Sequence, residues 1–240
     1  MKKHPKLFIF DLGETLINYK GVSLNWSAFY NDALRLACKA CNITYNENTL
    51  AEARQILLKY NTRINPRIEE VSADVIFSKI ISLFKIPGTS LKLFIEKFFE
   101  YFQREAEPEN TALELLQYLK QNNINTAVLT DVPYGMPKYL VEKDLGSLKH
   151  YIDLLVTSVD IGFRKPSPQG LEFILNHFSI RPDETIFVGN EKKDIETAKE
   201  MDVYSVLLNG ESDPPEWGQN RAISTLIDLK ILLTSQHNYS

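Results

Sequence analysis

The segment Lys6-Leu7-Phe8-Ile9-Phe10-Asp11-Leu12-Gly13 decides the fold. A short, continuous apolar run closed by an acid and a glycine suits a strand buried on both faces better than an amphipathic helix. Such a strand belongs at the centre of a parallel sheet, with Asp11 at its carboxyl end.

Downstream of it, from Asn18 to about Glu107, the pattern turns helical. Four stretches carry apolar residues at helix spacing: Ser23 to Asn42, Glu47 to Thr62, Glu69 to Phe84 and Ser90 to Glu105, separated by Asn, Pro and Gly. Beyond Pro108 helices and strands alternate. The helices predicted there are Thr111 to Asn122, Pro137 to Leu145, Pro168 to Phe178 and Asp194 to Met201. The strands are Asn125 to Leu129, Ile152 to Val156, Thr185 to Val188 and Val203 to Leu208. Repeated βαβ units predict an α/β protein, a Rossmann-like doubly wound parallel sheet with right-handed crossovers. Residues 1–17 and 108–240 are expected to form this core, and 18–107 an inserted four-helix cap.

The size fits one core plus a smaller lobe: 240 residues, 44% hydrophobic and 24% charged. A net charge of -4 supplies no basic face for a phosphate backbone, which argues against nucleic acid as a partner. No stretch approaches the roughly 20 apolar residues of a membrane span. Met1-Lys2-Lys3-His4-Pro5 leads into too short an apolar run for a signal peptide, so the expectation is a soluble, cytoplasmic protein with no membrane partner. Cys38 and Cys41 form a C-x-x-C pair without a second pair, on a helix-spaced segment, and read as thiols packed in a core. His4, His150, His177 and His237 are scattered, none at ligand-like spacing. Oligomeric state has no signature in the sequence.

Open parallel sheets bind ligands beyond the carboxyl ends of their strands. The residues ending the apolar runs are Asp11, Thr130 with Asp131, and Gly189 with Asn190, while Lys165 and Asp194 follow in adjoining loops. Asp11 alone would read as a loop cap, and Lys165 alone as a solvated lysine. Together they bring a carboxylate, a hydroxyl, a lysine and a second acid to one place. Asp131 suits either substrate binding or stabilising its own turn, and Asp194 also suits the first turn of a helix. Tyr19, Trp26 and Phe29 stand near the cap entrance, where aromatic residues at helical spacing are more often core.

These landmarks, in this order, resemble the haloacid dehalogenase-like superfamily, whose phosphatases carry aspartate-x-aspartate-glycine-threonine after the first strand. Here that segment is Asp11-Leu12-Gly13-Glu14-Thr15. Val128-Leu129-Thr130 matches the second landmark, Gly162-Phe163-Arg164-Lys165-Pro166-Ser167-Pro168 the third, and Val188-Gly189-Asn190-Glu191-Lys192-Lys193-Asp194 the fourth, except that Asn190 replaces an acid. The resemblance spans the chain, including a helical cap after the first landmark. It implies a phosphatase acting on a small phosphorylated metabolite. Asp11 would be the nucleophile, Thr130 and Lys165 catalytic, and Thr130, Asp131 and Lys165 substrate-binding. Mg2+ would be held by Asp11, the carbonyl of Gly13, Asn190 and Asp194.

The chemistry is coherent on its own terms. A phosphoryl group brings negative charge, and stabilising that charge as it moves is most of the catalytic task. Lys165 supplies a compact cation and Thr130 a hydroxyl donor. Magnesium, a hard ion preferring oxygen ligands, would screen the Asp11 carboxylate from its anionic target. Attack by Asp11 on phosphorus would give an aspartyl-phosphate that water cleaves.

Gly13 departs from this scheme, because the family's aspartate there protonates the leaving oxygen and then activates water. General acid-base help is typically worth about 10² to 10⁴ in rate. Three explanations stand open: a substrate with a good leaving group or one that assists its own hydrolysis, a proton donated by Glu14, or a relative that binds a phosphorylated ligand without turning it over. Members cleaving carbon-halogen or carbon-phosphorus bonds also lack that acid. The dehalogenases carry Ser-Asn at the second landmark, whereas Thr130-Asp131 is phosphatase-like. Asn190 should weaken magnesium binding, with Asp194 or Glu191 compensating.

Overall fold

The computed structural model describes residues 5–22, 25–84, 90–104, 106–211 and 213–237; among the expectations above, His4, Ser23 and Glu105 lie outside them. Packing divides the chain into two units. One comprises Met1–Asn18, Pro108–Asp131 and Leu145–Ser240, and the other Tyr19–Glu107 with Val132–Asp144.

The first unit is built on β1 (Leu7–Phe10), in which every residue is fully buried. The strands β2 (Ile17–Tyr19) and β3 (Ala106–Pro108) form a separate two-stranded sheet where the chain leaves and re-enters this unit. The main sheet adds β4 (Asn125–Thr130), β5 (Leu154–Thr157), β6 (Thr185–Gly189), β7 (Tyr204–Leu208) and β8 (Arg221–Ile223). Its order is β5-β4-β1-β6-β7-β8, and all pairings are parallel. Placing β1 between β4 and β6 explains its uniform apolarity, since helices cover both faces of such a sheet. On one face Leu7, Ile9, Ala127, Leu129 and Phe187 pack with Leu171 and Ile174.

The second unit contains α1 (Tyr30–Ala40), α2 (Glu47–Tyr60), α3 (Ala73–Phe84) and α4 (Leu91–Gln103). Local chemistry sets their starts: the Asn46 side chain accepts the Thr49 N–H at 2.9 Å, and Ser90 accepts that of Leu93 at 3.2 Å. Helix α1 packs on α4, and α3 on both α2 and α4. Trp26 lies flat on Phe102, ring centroids 3.8 Å apart, and Phe98 meets Phe77 edge-on at 4.8 Å. Trp26 and the fully buried Cys38 are therefore core residues here, and Cys41 is half-buried. The Tyr19 hydroxyl donates to Asp144, and Phe29 packs near Tyr101.

The remaining helices are α5 (Ala112–Gln121), α6 (Lys138–Leu145), α7 (Ser158–Ile161), α8 (Gln169–Phe178), α9 (Lys192–Glu200) and α10 (Leu226–His237). Most of α6 falls in the second unit, along with the turn leading to it. Gly135 explains part of this: its φ is +63°, and a Cβ there would lie 2.1 Å from the Val71 carbonyl oxygen. Only glycine lets the turn after β4 press against 71–73.

Candidate active site

Parallel pairing aligns three strand ends. Phe10 stands opposite Val128 of β4 and Val188 of β6, so Asp11, Thr130 and Gly189 come together just past the register. The Asp11 N–H donates to the Val188 carbonyl at 2.8 Å, which fixes the residue on the strand axis.

Lys165 sits among them, 5% exposed. Its Nζ lies 2.6 Å from Asp11 Oδ1, 2.6 Å from Asp194 Oδ1 and 3.2 Å from the Leu129 carbonyl. Burial alone would lower the lysine's pKa, but the carboxylates of Asp11, Asp194 and Asp131 outweigh it and raise it, so Lys165 is charged. Burial pushes the Asp11 carboxyl up to about 6, with Lys165 pulling down and Asp194 pushing up. One cation thus serves two carboxylates.

Asp194 does double duty. Its Oδ2 accepts the Glu191 N–H at 2.9 Å as part of the cap of α9, leaving Oδ1 to face Lys165. The helix-capping and metal-binding readings of Asp194 are therefore compatible. Gly189 makes the approach possible, since a Cβ there would fall 2.4 Å from Asp194.

Asp131 is a hub that holds the site's cations. It accepts the Lys165 N–H at 2.9 Å through Oδ1, and its Oδ2 lies 3.0 Å from Lys193 Nζ and 4.0 Å from Arg164. Burial would raise its pKa, yet Lys193, Lys165 and Arg164 together lower it. Thr130 is 5% exposed, and among the described residues its hydroxyl has no hydrogen-bond partner, so it is available to donate. In the loop after β1, Glu14 adopts φ +55°, the left-handed conformation that favours glycine, at the position where the family has glycine. Gly13 bridges to Ile17, and Thr15 donates to Asn190 Oδ1 at 3.4 Å.

For a divalent cation the available donors are the oxygens of Asp11, Gly13, Asn190 and Asp194. The buried Asp194 Oδ1 accepts no aligned hydrogen bond, although Lys165 Nζ is 2.6 Å away; the distance makes it an ion pair, and the misalignment leaves a lone pair to give. Among the described residues no three His, Cys, Asp or Glu side chains gather as a metal site. Two of the four expected donors are neutral, so the set fits magnesium in kind but carries little charge.

Sequence reasoning named the Asp11, Thr130, Lys165 and Asp194 positions but passed over Arg164 and Lys193. Adjacency was the available sign: Arg164 precedes Lys165, and Lys193 lies inside the fourth landmark.

The family described as haloacid dehalogenase-like hydrolase matches residues 5–202. The chain is similar to a phosphoglycolate phosphatase of Pectobacterium atrosepticum, 29% identical over 46% of this chain and 48% of that protein. It is also similar to the bifunctional epoxide hydrolase 2 of Rattus norvegicus, 22% identical over 78% of this chain and 37% of that protein. These matches span half or less of the length of the curated relatives. Among solved structures, an HAD phosphatase from Thermococcus onnurineus matches with a TM-score of 0.64 at 21% identity, covering 95% of this chain and 97% of that one. A 2-haloacid dehalogenase from Pseudomonas syringae matches with a TM-score of 0.67 at 19% identity, covering 96% and 99%. At such identities these two show a shared fold. No helix among the described residues is long and apolar enough to cross a membrane.

Proposed function

Because the chain belongs to the haloacid dehalogenase-like hydrolases, we propose that it is a magnesium-supported phosphatase. Its substrate would be a small phosphorylated metabolite, and its intermediate an aspartyl-phosphate on Asp11. The observation that carries this reading is the buried 2.6 Å contact between Lys165 Nζ and Asp11 Oδ1 at the end of the central strand. Likeness to phosphoglycolate phosphatases supports the substrate class.

In this mechanism Asp11 is held in line by its backbone hydrogen bond to β6 and attacks phosphorus with a carboxylate oxygen. Lys165 neutralises the nucleophile before attack and balances the phosphoryl charge afterwards. Thr130 donates its hydroxyl to a phosphoryl oxygen, and Asp131 fixes the Lys165 backbone. Asp11, the Gly13 carbonyl, Asn190 and Asp194 would hold the magnesium, which offsets negative charge when bound. Gly13 gives the leaving oxygen no proton, so substrates that depart as stable anions, acyl phosphates above all, are favoured. The helical unit is proposed as the cap that selects the substrate.

Gly13 also favours a second reading, a protein that binds a phosphorylated ligand without turning it over. Incubating the full chain with Mg2+ and a panel of acyl phosphates and activated phosphate esters separates the two. Turnover that Asp11→Asn removes supports the phosphatase. Binding without turnover across the panel supports the other.

A further inference from the structure

The charged side chains around Asp11 form two sets of contacts, Asp11–Lys165–Asp194 and Glu191–Lys193–Asp131–Arg164, joined by the hydrogen bond from the Lys165 N–H to Asp131. Four carboxylates face three cations, an excess of one negative charge. Acids at positions 13 and 190, as in the family's pattern, would raise that excess to three. A site so charged repels a phosphoryl dianion unless a divalent cation comes with it. In this chain the repulsion is smaller, and the pull on a divalent cation is smaller too.

The cations also differ in what they have left to give. An ammonium has three N–H donors. Lys165 donates to Asp11 and the Leu129 carbonyl and meets Asp194 as an unaligned ion pair, with its side chain buried. Lys193 pairs with Asp131 Oδ2 at 3.0 Å and with Glu191 Oε2 at 2.9 Å. Its side chain is 25% exposed, against 2% for Lys165 and 6% for Arg164. Lys193 is therefore the cation of the cluster most open to solvent, and its charge helps hold the Asp11 carboxyl down.

We propose that Lys193 is a second oxyanion ligand of this site, and that with it the site holds a phosphoryl-sized dianion without a divalent cation. The inference rests on the reading of the Asp11 site as a phosphoryl site. It concerns binding, and leaves to magnesium its part in turnover.

The test is calorimetric titration of inorganic phosphate into the full chain, in EDTA and in Mg2+. The dissociation constants should agree within about threefold. Lys193→Met should weaken binding in EDTA by on the order of tenfold, as loss of a charge-assisted hydrogen bond does, and Lys193→Arg should restore it. The double variant Gly13→Asp, Asn190→Asp should bind phosphate only with Mg2+. Binding by the unaltered chain only with Mg2+, indifferent to Lys193→Met, would overturn the inference and leave the phosphatase reading standing. Absence of phosphate binding in both buffers, with no turnover, would overturn both.

Discussion

The core unit buries ionised groups around Asp11, whereas the helical unit buries a neutral chain of hydrogen bonds. In the latter, Asn61 donates to Asn25 at 2.9 Å and to the Tyr30 hydroxyl at 2.7 Å, and Tyr30 meets Tyr134 hydroxyl to hydroxyl. Trp26 and Phe98 pack around Tyr134. A satisfied neutral network costs little to bury and specifies one packing, here of the turn after β4. Buried ion pairs are different: desolvation roughly cancels their attraction, so they add little to stability and are costly to break one partner at a time. The neutral cluster serves the fold. The charged one is explained by chemistry.

That contrast breaks most sharply at Lys165. Lys165→Met leaves Asp11 and Asp194 buried without their shared cation, and should cost ~3 to 5 kcal/mol by urea denaturation together with all turnover. Phe98→Ala in the helical unit should cost a similar ~3 to 5 kcal/mol through a core cavity, while phosphate binding by the folded fraction persists. Loss of phosphate binding in the folded protein would deny the division of roles. Gly13→Asp restores a carboxyl beside the nucleophile and should raise hydrolysis of unactivated phosphomonoesters by ~10²-fold. An unchanged rate in a folded variant would mean that the missing proton donor is not what limits the reaction.

The smallest effect is expected at Asp144 of the helical unit. Burial pushes its carboxyl up to about 6, against hydrogen bonds from Tyr19 and Gln103. A carboxyl raised on folding is most favourable when protonated in both states, so its contribution is full below about pH 4 and is lost as pH rises through 6. Asp144→Asn should therefore stabilise the chain at pH 7 by ~1 kcal/mol and have little effect at pH 4, read as thermal midpoints at the two pH values. Asp11 follows the same sign: its carboxyl, pushed up to about 6 by burial in the metal-free protein, takes up a proton as pH falls through that range.

Much of this was legible in sequence because period and burial agree. Leu7 to Phe10 and Ile186 to Val188 are apolar because both faces are covered, and α4 shows its buried Phe94, Phe98 and Phe102 at helix spacing. Five elements were not legible: the short β2, β3 and α7, of three or four residues each, and β8 and α10. The strand β8 is three residues long and follows a polar, proline-containing stretch, and α10 carries apolar residues on its exposed side, such as Ile231 at 55% exposure, so no face stands out. Helix α3 starts four residues later than Glu69, since the Glu70 carboxylate instead accepts the Val71 N–H and pairs with Arg67. In the site, strand ends identified Asp11 and Thr130. The roles of Arg164, Lys193 and Asp131 depend on which charges meet in space, and a lysine in a helix's first turn looks the same in sequence whether it faces water or an acid.

The phosphatase reading stands or falls on a covalent bond at one atom. After incubation with acetyl phosphate and Mg2+ and an acid quench, peptide mass spectrometry should find phosphate on the segment containing Asp11, and none in Asp11→Asn, which should also have lost turnover. Phosphate release with no modified Asp11 peptide, or turnover that survives Asp11→Asn, would contradict it.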